Sequence, residues 1–124
     1  MRPDPRFQKL AYLWAPVIFY AAFIFFWSSF SFHFTLFEKV EKNNTDKLVH
    51  VVEYGVLGSL LARALRGRFF WTAILIGVLY GALDEFHQQF VPYRDSSVFD
   101  LTADAVGVML GAWIWTKKQN KVYA

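Results

Sequence analysis

Polar positions are sparse and clustered along this chain, and the gaps between them set its elements. From Leu10 to Phe37 there is no Asp, Glu, Lys or Arg. About 20 apolar residues cross a hydrocarbon layer ~30 Å thick, so this run predicts a transmembrane helix over about residues 10–31. Ser28, Ser29 and Ser31 mark its exit to the interface. Arg2, Arg6 and Lys9 precede it, as in a signal peptide, but the apolar run is too long and continues through Phe30, Phe32 and Phe34. It reads as an uncleaved span. Three more runs follow. Leu48 to Leu65 is interrupted by His50, Glu53 and Arg63, Phe69 to Leu83 leads into Asp84-Glu85, and Leu101 to Thr116 is interrupted by Asp104. They predict spans over about 48–65, 69–87 and 100–116. Arg66-Gly67-Arg68 supplies a tight reversal between the second and third. The expected fold is all-α: one domain over 1–124, built as an antiparallel bundle of four transmembrane helices.

Composition supports this pattern. The chain has 124 residues, 56% hydrophobic and 20% aromatic, and no cysteine. A soluble domain of this size buries roughly two-thirds of its unfolded surface. That core would not absorb 14 Phe, 5 Trp and 6 Tyr beside the aliphatics. Without cysteine there is no disulfide, thiolate metal site or cysteine nucleophile.

Charge then orients the spans. Arg2, Arg6, Lys9, Arg63, Arg66, Arg68, Lys117, Lys118 and Lys121 fall on one side, and Lys39, Lys42, Lys47 and Arg94 on the other. The positive-inside rule puts the first group, and both termini, in the cytoplasm. Trp14, Trp71, Trp113 and Trp115 flank that face and Trp27 the opposite one, as an aromatic belt would. Among the acids Asp4 alone is cytoplasmic. Glu38, Glu41, Asp46, Glu53, Asp84, Glu85, Asp95, Asp100 and Asp104 are outer. The pI of 9.3 is thus a topology signal. No basic-aromatic patch points to nucleic acid.

Alternate crossings bring the polar ends of spans two, three and four to one face. Helical spacing aligns them further. Asp46, His50 and Glu53 stand at i, i+4 and i+7, with Tyr54 beside them. Asp84, His87 and Gln88 share a second stripe, and Asp100 and Asp104 a third. Glu53 lies about 10 Å deeper than Asp46. Ionisable groups at such depth face a bundle interior or a wet cavity. Asp46 and Asp100 stand where N-caps are expected. Asp84 and Glu85 point about 100° apart, so Asp84 is the expected site residue and Glu85 a partner for Arg94 or an outer-loop group. His33 and His87 are interfacial. Gly77 with Gly81, Gly107 with Gly111, and Gly55 with Gly58 offer surfaces for close helix approach.

These residues resemble the motifs of the VanZ-like family, named for a small membrane protein associated with teicoplanin resistance. Asp46-Lys47-Leu48-Val49-His50 with Glu53-Tyr54 and Leu57-Gly58 resembles the first motif. Gly81-Ala82-Leu83-Asp84-Glu85 with Gln88, Phe90, Pro92 and Arg94 resembles the second, and Asp100, Asp104, Gly107 and Gly111 the third. Tyr93 stands where the family often has glycine, and Asp104 where asparagine is also frequent. The resemblance implies an integral protein of the cell envelope, in the cytoplasmic membrane, linked to glycopeptide susceptibility. It implies no established reaction.

Two functional readings remain open. In one, the outer-face site binds an envelope or lipid-linked anion, such as a peptidoglycan precursor, without chemistry. Arg94 clamps the anion as a bidentate fork, and Asp46, Tyr54, Glu85, Gln88, Asp100 and Asp104 shape the site. In the other, a membrane enzyme acts on a polyprenyl-phosphate substrate. His50, Glu53 and Asp84 then supply acid-base catalysis, or a divalent metal bridges carboxylates and phosphate. An ion path would need ionisable groups across the full depth, which the inner halves of spans three and four lack.

Overall fold

The computed structural model describes residues 3–30, 45–92, 94 and 96–122. Among them there are four helices and no strand: α1 (Pro5–Ser28), α2 (Thr45–Ala64), α3 (Phe70–Gln88) and α4 (Val98–Val122). Arg2, Ser31, Phe32, His33, Phe34, Glu38, Lys39, Glu41, Lys42, Tyr93 and Asp95, all used in the sequence reading, lie outside the described residues.

Local chemistry moves the helix ends from their expected places. α1 starts five residues before the apolar run because Asp4 caps it, accepting from the Arg6 amide at 2.8 Å, and Pro5 follows at N1. Inside α1, Pro16 has no amide to give the Tyr12 carbonyl one turn earlier. Arg63 Nη1 approaches that carbonyl at 3.5 Å, and its guanidinium lies 4.7 Å from the Tyr12 ring centre. α4 runs six residues beyond its expected end, through Lys117, Lys118 and Lys121. These are good helix formers, and cations at a helix C-terminus suit its dipole.

The α2–α3 reversal uses more than its glycine. Gly67 N–H donates to the Ala62 carbonyl at 2.9 Å and Arg66 N–H to the Arg63 carbonyl at 3.0 Å, the paired bonds of a Schellman ending. The left-handed position that this ending prefers to fill with glycine is held by Arg66, at φ 56°, and Gly67 follows at φ 67°.

Packing divides the bundle. α2 and α4 run side by side in the same direction with almost no side chain between them. A methyl added at Gly111 would lie 2.7 Å from the Gly55 carbonyl carbon, one at Gly107 3.0 Å from the Val51 backbone, and one at Gly58 2.8 Å from Val108 Cα. Gly77 of α3 faces the Val108 side chain, and Gly81 faces Asp104 and Tyr54. Tyr54, Leu57, Leu61, Val108 and Ala112 fill the interior, with Ile24 of α1 closing one side.

Burial is inverted relative to a soluble domain. His50, Asp84, Glu85, Gln88, Asp100 and Asp104 are buried, while Phe19, Phe23, Trp71, Leu75, Leu79, Leu83, Met109 and Trp113 are exposed. α1 and α4 are long and apolar enough to cross a membrane. α2 and α3 fall short of that measure: α2 carries Asp46, Lys47, His50 and Glu53 along its first half, and α3 ends in Asp84 and Glu85. Of these, His50, Asp84 and Glu85 are buried in the bundle. An apolar exterior around a polar interior is consistent with a membrane protein.

Candidate functional site

The helical period brings Asp46, His50, Glu53 and Tyr54 to the inner face of α2, as the spacing predicts. His50 spans two carboxylates from different depths. Its Nε2 lies 3.7 Å from Asp46 Oδ1 at the rim, and its Nδ1 hydrogen-bonds Asp104 Oδ1 at 2.7 Å in the interior. Asp104 is fully buried on α4, on the face that also carries Gly107 and Gly111. Close backbone contact therefore begins one turn below the carboxylate.

Asp84 and Glu85 are both buried, each facing different neighbours. Asp84 turns toward α1 and α2. Its Oδ1 accepts from Ser28 Oγ at 2.6 Å, and its Oδ2 accepts from Tyr54 OH at 3.1 Å and Gln88 Nε2 at 3.3 Å. Glu85 turns toward α4, where Oε2 accepts from the Ser97 amide at 3.2 Å. The end of α3 is enclosed on two sides, so a 100° separation does not expel either carboxylate. Glu85 accepts from the amide of Ser97, at the end of the α3–α4 connection, and not from Arg94.

Asp46 and Asp100 are not the caps that their sequence positions suggest. α2 begins at Thr45, which leaves Asp46 inside the first turn. α4 is capped by Ser97, whose Oγ accepts from the Phe99 amide at 3.1 Å, and Asp100 sits in the first turn. Carboxylates there still suit the positive end of the helix dipole. Lys47 joins them: Nζ donates to Asp100 Oδ1 and lies 3.6 Å from Asp46 Oδ2.

Arg94 is half-buried in the connection before α4. Nη2 donates to the Phe30 carbonyl at 3.1 Å, and among the described residues Arg94 makes no ion pair. The pairing with Glu85 that the sequence offers is absent there. His87 meets Ser29 Oγ at 3.0 Å and stacks on Phe25 at 4.4 Å, so it joins α3 to α1.

Sequence reasoning missed two contributors. Ser28, read as an interface marker, is buried and donates to Asp84. Ser97, the cap of α4 and partner of Glu85, carried a legible signal as a serine just before an apolar run. Beside the site, an apolar groove of about 510 Å³ runs between α2 and α4, lined by Lys47, Val51, Phe99, Thr102, Ala103 and Val106.

The cluster has more buried carboxylates than cations to match them. Two sets, Asp46–His50–Asp100 and His50–Glu85–Asp104, each present ligand atoms within 4.8 Å of one another, a spacing that can hold a metal ion. His50 with Asp104 is also an oriented acid-base pair of the kind used in proton transfer.

No curated protein and no solved structure matches the chain. The model of the VanZ/LLP1 family matches residues 9–119, nearly the whole chain. The match includes every polar residue of the site, and the chain belongs to the VanZ/LLP1 family.

Proposed function

We propose that all four helices cross the cytoplasmic membrane, with both termini inside, and that the polar end forms an outer-face site for an anionic, lipid-linked ligand of the cell envelope. Through that ligand the protein alters glycopeptide susceptibility. The observation that carries the reading is Arg94. Lys47 is engaged by Asp100 and Asp46, and His50 by Asp104, whereas Arg94 makes no ion pair among the described residues. A guanidinium held beside the mouth of the site has the planar donor geometry that phosphate and carboxylate ligands require. The groove beside Lys47 has room for part of a lipid chain.

The orientation is open to direct measurement because the chain has no native cysteine. Single cysteines placed at 96 and 118 should react from outside and from inside the cell respectively. The reverse pattern would overturn the placement. Ligand binding is tested by the thermal stability of detergent-purified protein against polyprenyl phosphates and pyrophosphates. Wild type should gain several degrees and Arg94→Ala should gain none. An equal gain in both would remove Arg94 from the site. No gain with any lipid would leave the cluster an architectural feature.

A second reading draws on the His50–Asp104 hydrogen bond of 2.7 Å. A histidine oriented by a buried carboxylate suits proton transfer to a phosphate leaving group, which would make the protein an enzyme on the same class of lipid. Release of phosphate that is lost in His50→Gln while lipid binding persists would establish this reading.

A further inference from the structure

Buried polar atoms in folded proteins almost always find a hydrogen-bond partner, so each exception calls for an explanation. Here there are two exceptions among the described residues, and they lie in the same cluster. Asp104 Oδ2 and Glu85 Oε1 are buried with no hydrogen-bond partner. Asp104 is fully buried and Glu85 is 5% exposed. Their other oxygens are occupied, Asp104 Oδ1 by His50 and Glu85 Oε2 by the Ser97 amide. Each carboxylate is thus oriented by one oxygen and leaves the other unmatched. The ligand atoms of His50, Glu85 and Asp104 lie within 4.8 Å of one another.

A positive charge satisfies both orphaned oxygens better than further protein donors could, because the neighbourhood is already rich in carboxylates. Lys47 does not fill this role: it is engaged at the rim with Asp100 and Asp46. The rim set of Asp46, His50 and Asp100 is the weaker metal candidate for the same reason. Its carboxylates share the Lys47 ammonium, and Asp46 is partly exposed.

We infer that His50, Glu85 and Asp104 form a binding site for one divalent metal ion, buried between α2, α3 and α4. One imidazole nitrogen with two carboxylate oxygens favours a first-row ion such as Zn²⁺ or Mn²⁺ over Ca²⁺, which takes six to eight oxygens. Three protein ligands leave coordination positions open. The inference stands apart from the anionic-ligand proposal, because its test reads the metal alone.

The test uses the full chain in detergent, stripped with chelator and dialysed. Zn²⁺, Mn²⁺, Mg²⁺ and Ca²⁺ are then added separately, with bound metal counted by mass spectrometry and melting temperature recorded. Wild type should bind one equivalent of Zn²⁺ or Mn²⁺ and melt higher, with smaller effects from Mg²⁺ and Ca²⁺. Glu85→Gln should keep its helix content and monodispersity, since it removes a buried charge, and should bind the metal at least about tenfold more weakly. Asp46→Asn should bind it normally. Absence of stoichiometric metal from wild type would overturn the site without recourse to any variant. Loss of metal in Asp46→Asn with retention in Glu85→Gln would place the ion at the rim and overturn the inner set. If Glu85→Gln does not fold, the visible spectrum of Co²⁺-loaded wild type decides. An imidazole-ligated band should be present, and a spectrum equal to that of Co²⁺ in buffer would refute the site.

Discussion

α4 and α1 are held in the bundle by opposite means. α4 meets α2 through backbone: glycines at 55, 58, 107 and 111 bring the two main chains into contact over two turns. α1 is fastened by hydroxyls and an imidazole. Tyr20 donates to the Glu53 carbonyl at 2.9 Å, Tyr80 to the Ala21 carbonyl, and Ser28 to Asp84, while Ser29 meets His87. In lipid, apolar surface gives helices no reason to associate, so close packing of small residues and interhelical hydrogen bonds remain. This bundle uses the first for α4 and the second for α1. Packed backbone fixes a position but leaves no room for an added atom at Gly58, Gly107 or Gly111. Hydrogen bonds tolerate substitution and are lost one at a time.

The largest effect should come from the packed side. Gly111→Leu places a branched side chain against the Gly55 carbonyl, where neither main chain can yield without separating the helices. We expect a loss of about 3 kcal/mol or more, the upper end of the overpacking range, read as loss of the folded fraction in detergent denaturation. A mild effect would show that α2 and α4 can part, and would end the contrast.

Among the hydrogen bonds, Ser28→Ala should cost most. It leaves Asp84 Oδ1 without its donor at a buried site, worth about 2 kcal/mol in the same assay. Tyr20→Phe removes a bond to a half-buried carbonyl and should cost about 0.6 kcal/mol, the usual size for an interhelical hydrogen bond in a membrane. A Tyr20→Phe loss as large as that of Ser28→Ala would mean that α1 is held by packing after all. The smallest effect sharpens the packed side. A methyl at Gly55 meets the Gly107 carbonyl oxygen at 3.5 Å, an ordinary contact. Gly55→Ala should stay within about 0.5 kcal/mol of wild type, because the better helix propensity of alanine offsets the crowding.

The two sides also differ in how far the sequence exposes them. The stripe of Asp46, His50, Glu53 and Tyr54 follows from the helical period, and its meeting with Asp104 follows from alternating helices. The glycine face is visible for the same reason. α1 is harder to read. Its long charge-free run gives a helix, but which face turns inward depends on a packing angle that no local residue dictates. Ser28 therefore reads as an interface marker although it reaches Asp84. Arg94 belongs to an irregular connection without a period, so the Phe30 carbonyl it binds lies beyond sequence reasoning. The burial of both Asp84 and Glu85 depends on how many helices enclose the end of α3, a tertiary fact. The interplay of Pro16, the Tyr12 carbonyl and Arg63 was half legible: the proline announces an orphaned acceptor but not the donor.

The pairing of His50 with Asp104 joins residues 54 positions apart, on the second and the last helix. His50 is therefore synthesised well before Asp104. The Schellman ending between α2 and α3 makes a tight hairpin of the two. Within that hairpin Tyr54 donates to Asp84 at 3.1 Å without any contribution from α4. α4 carries the aspartate that closes the interior. Before Asp104 is in place, His50 has Asp46 of its own helix 3.7 Å from Nε2, so α4 completes from the far end of the sequence a pairing that α2 begins.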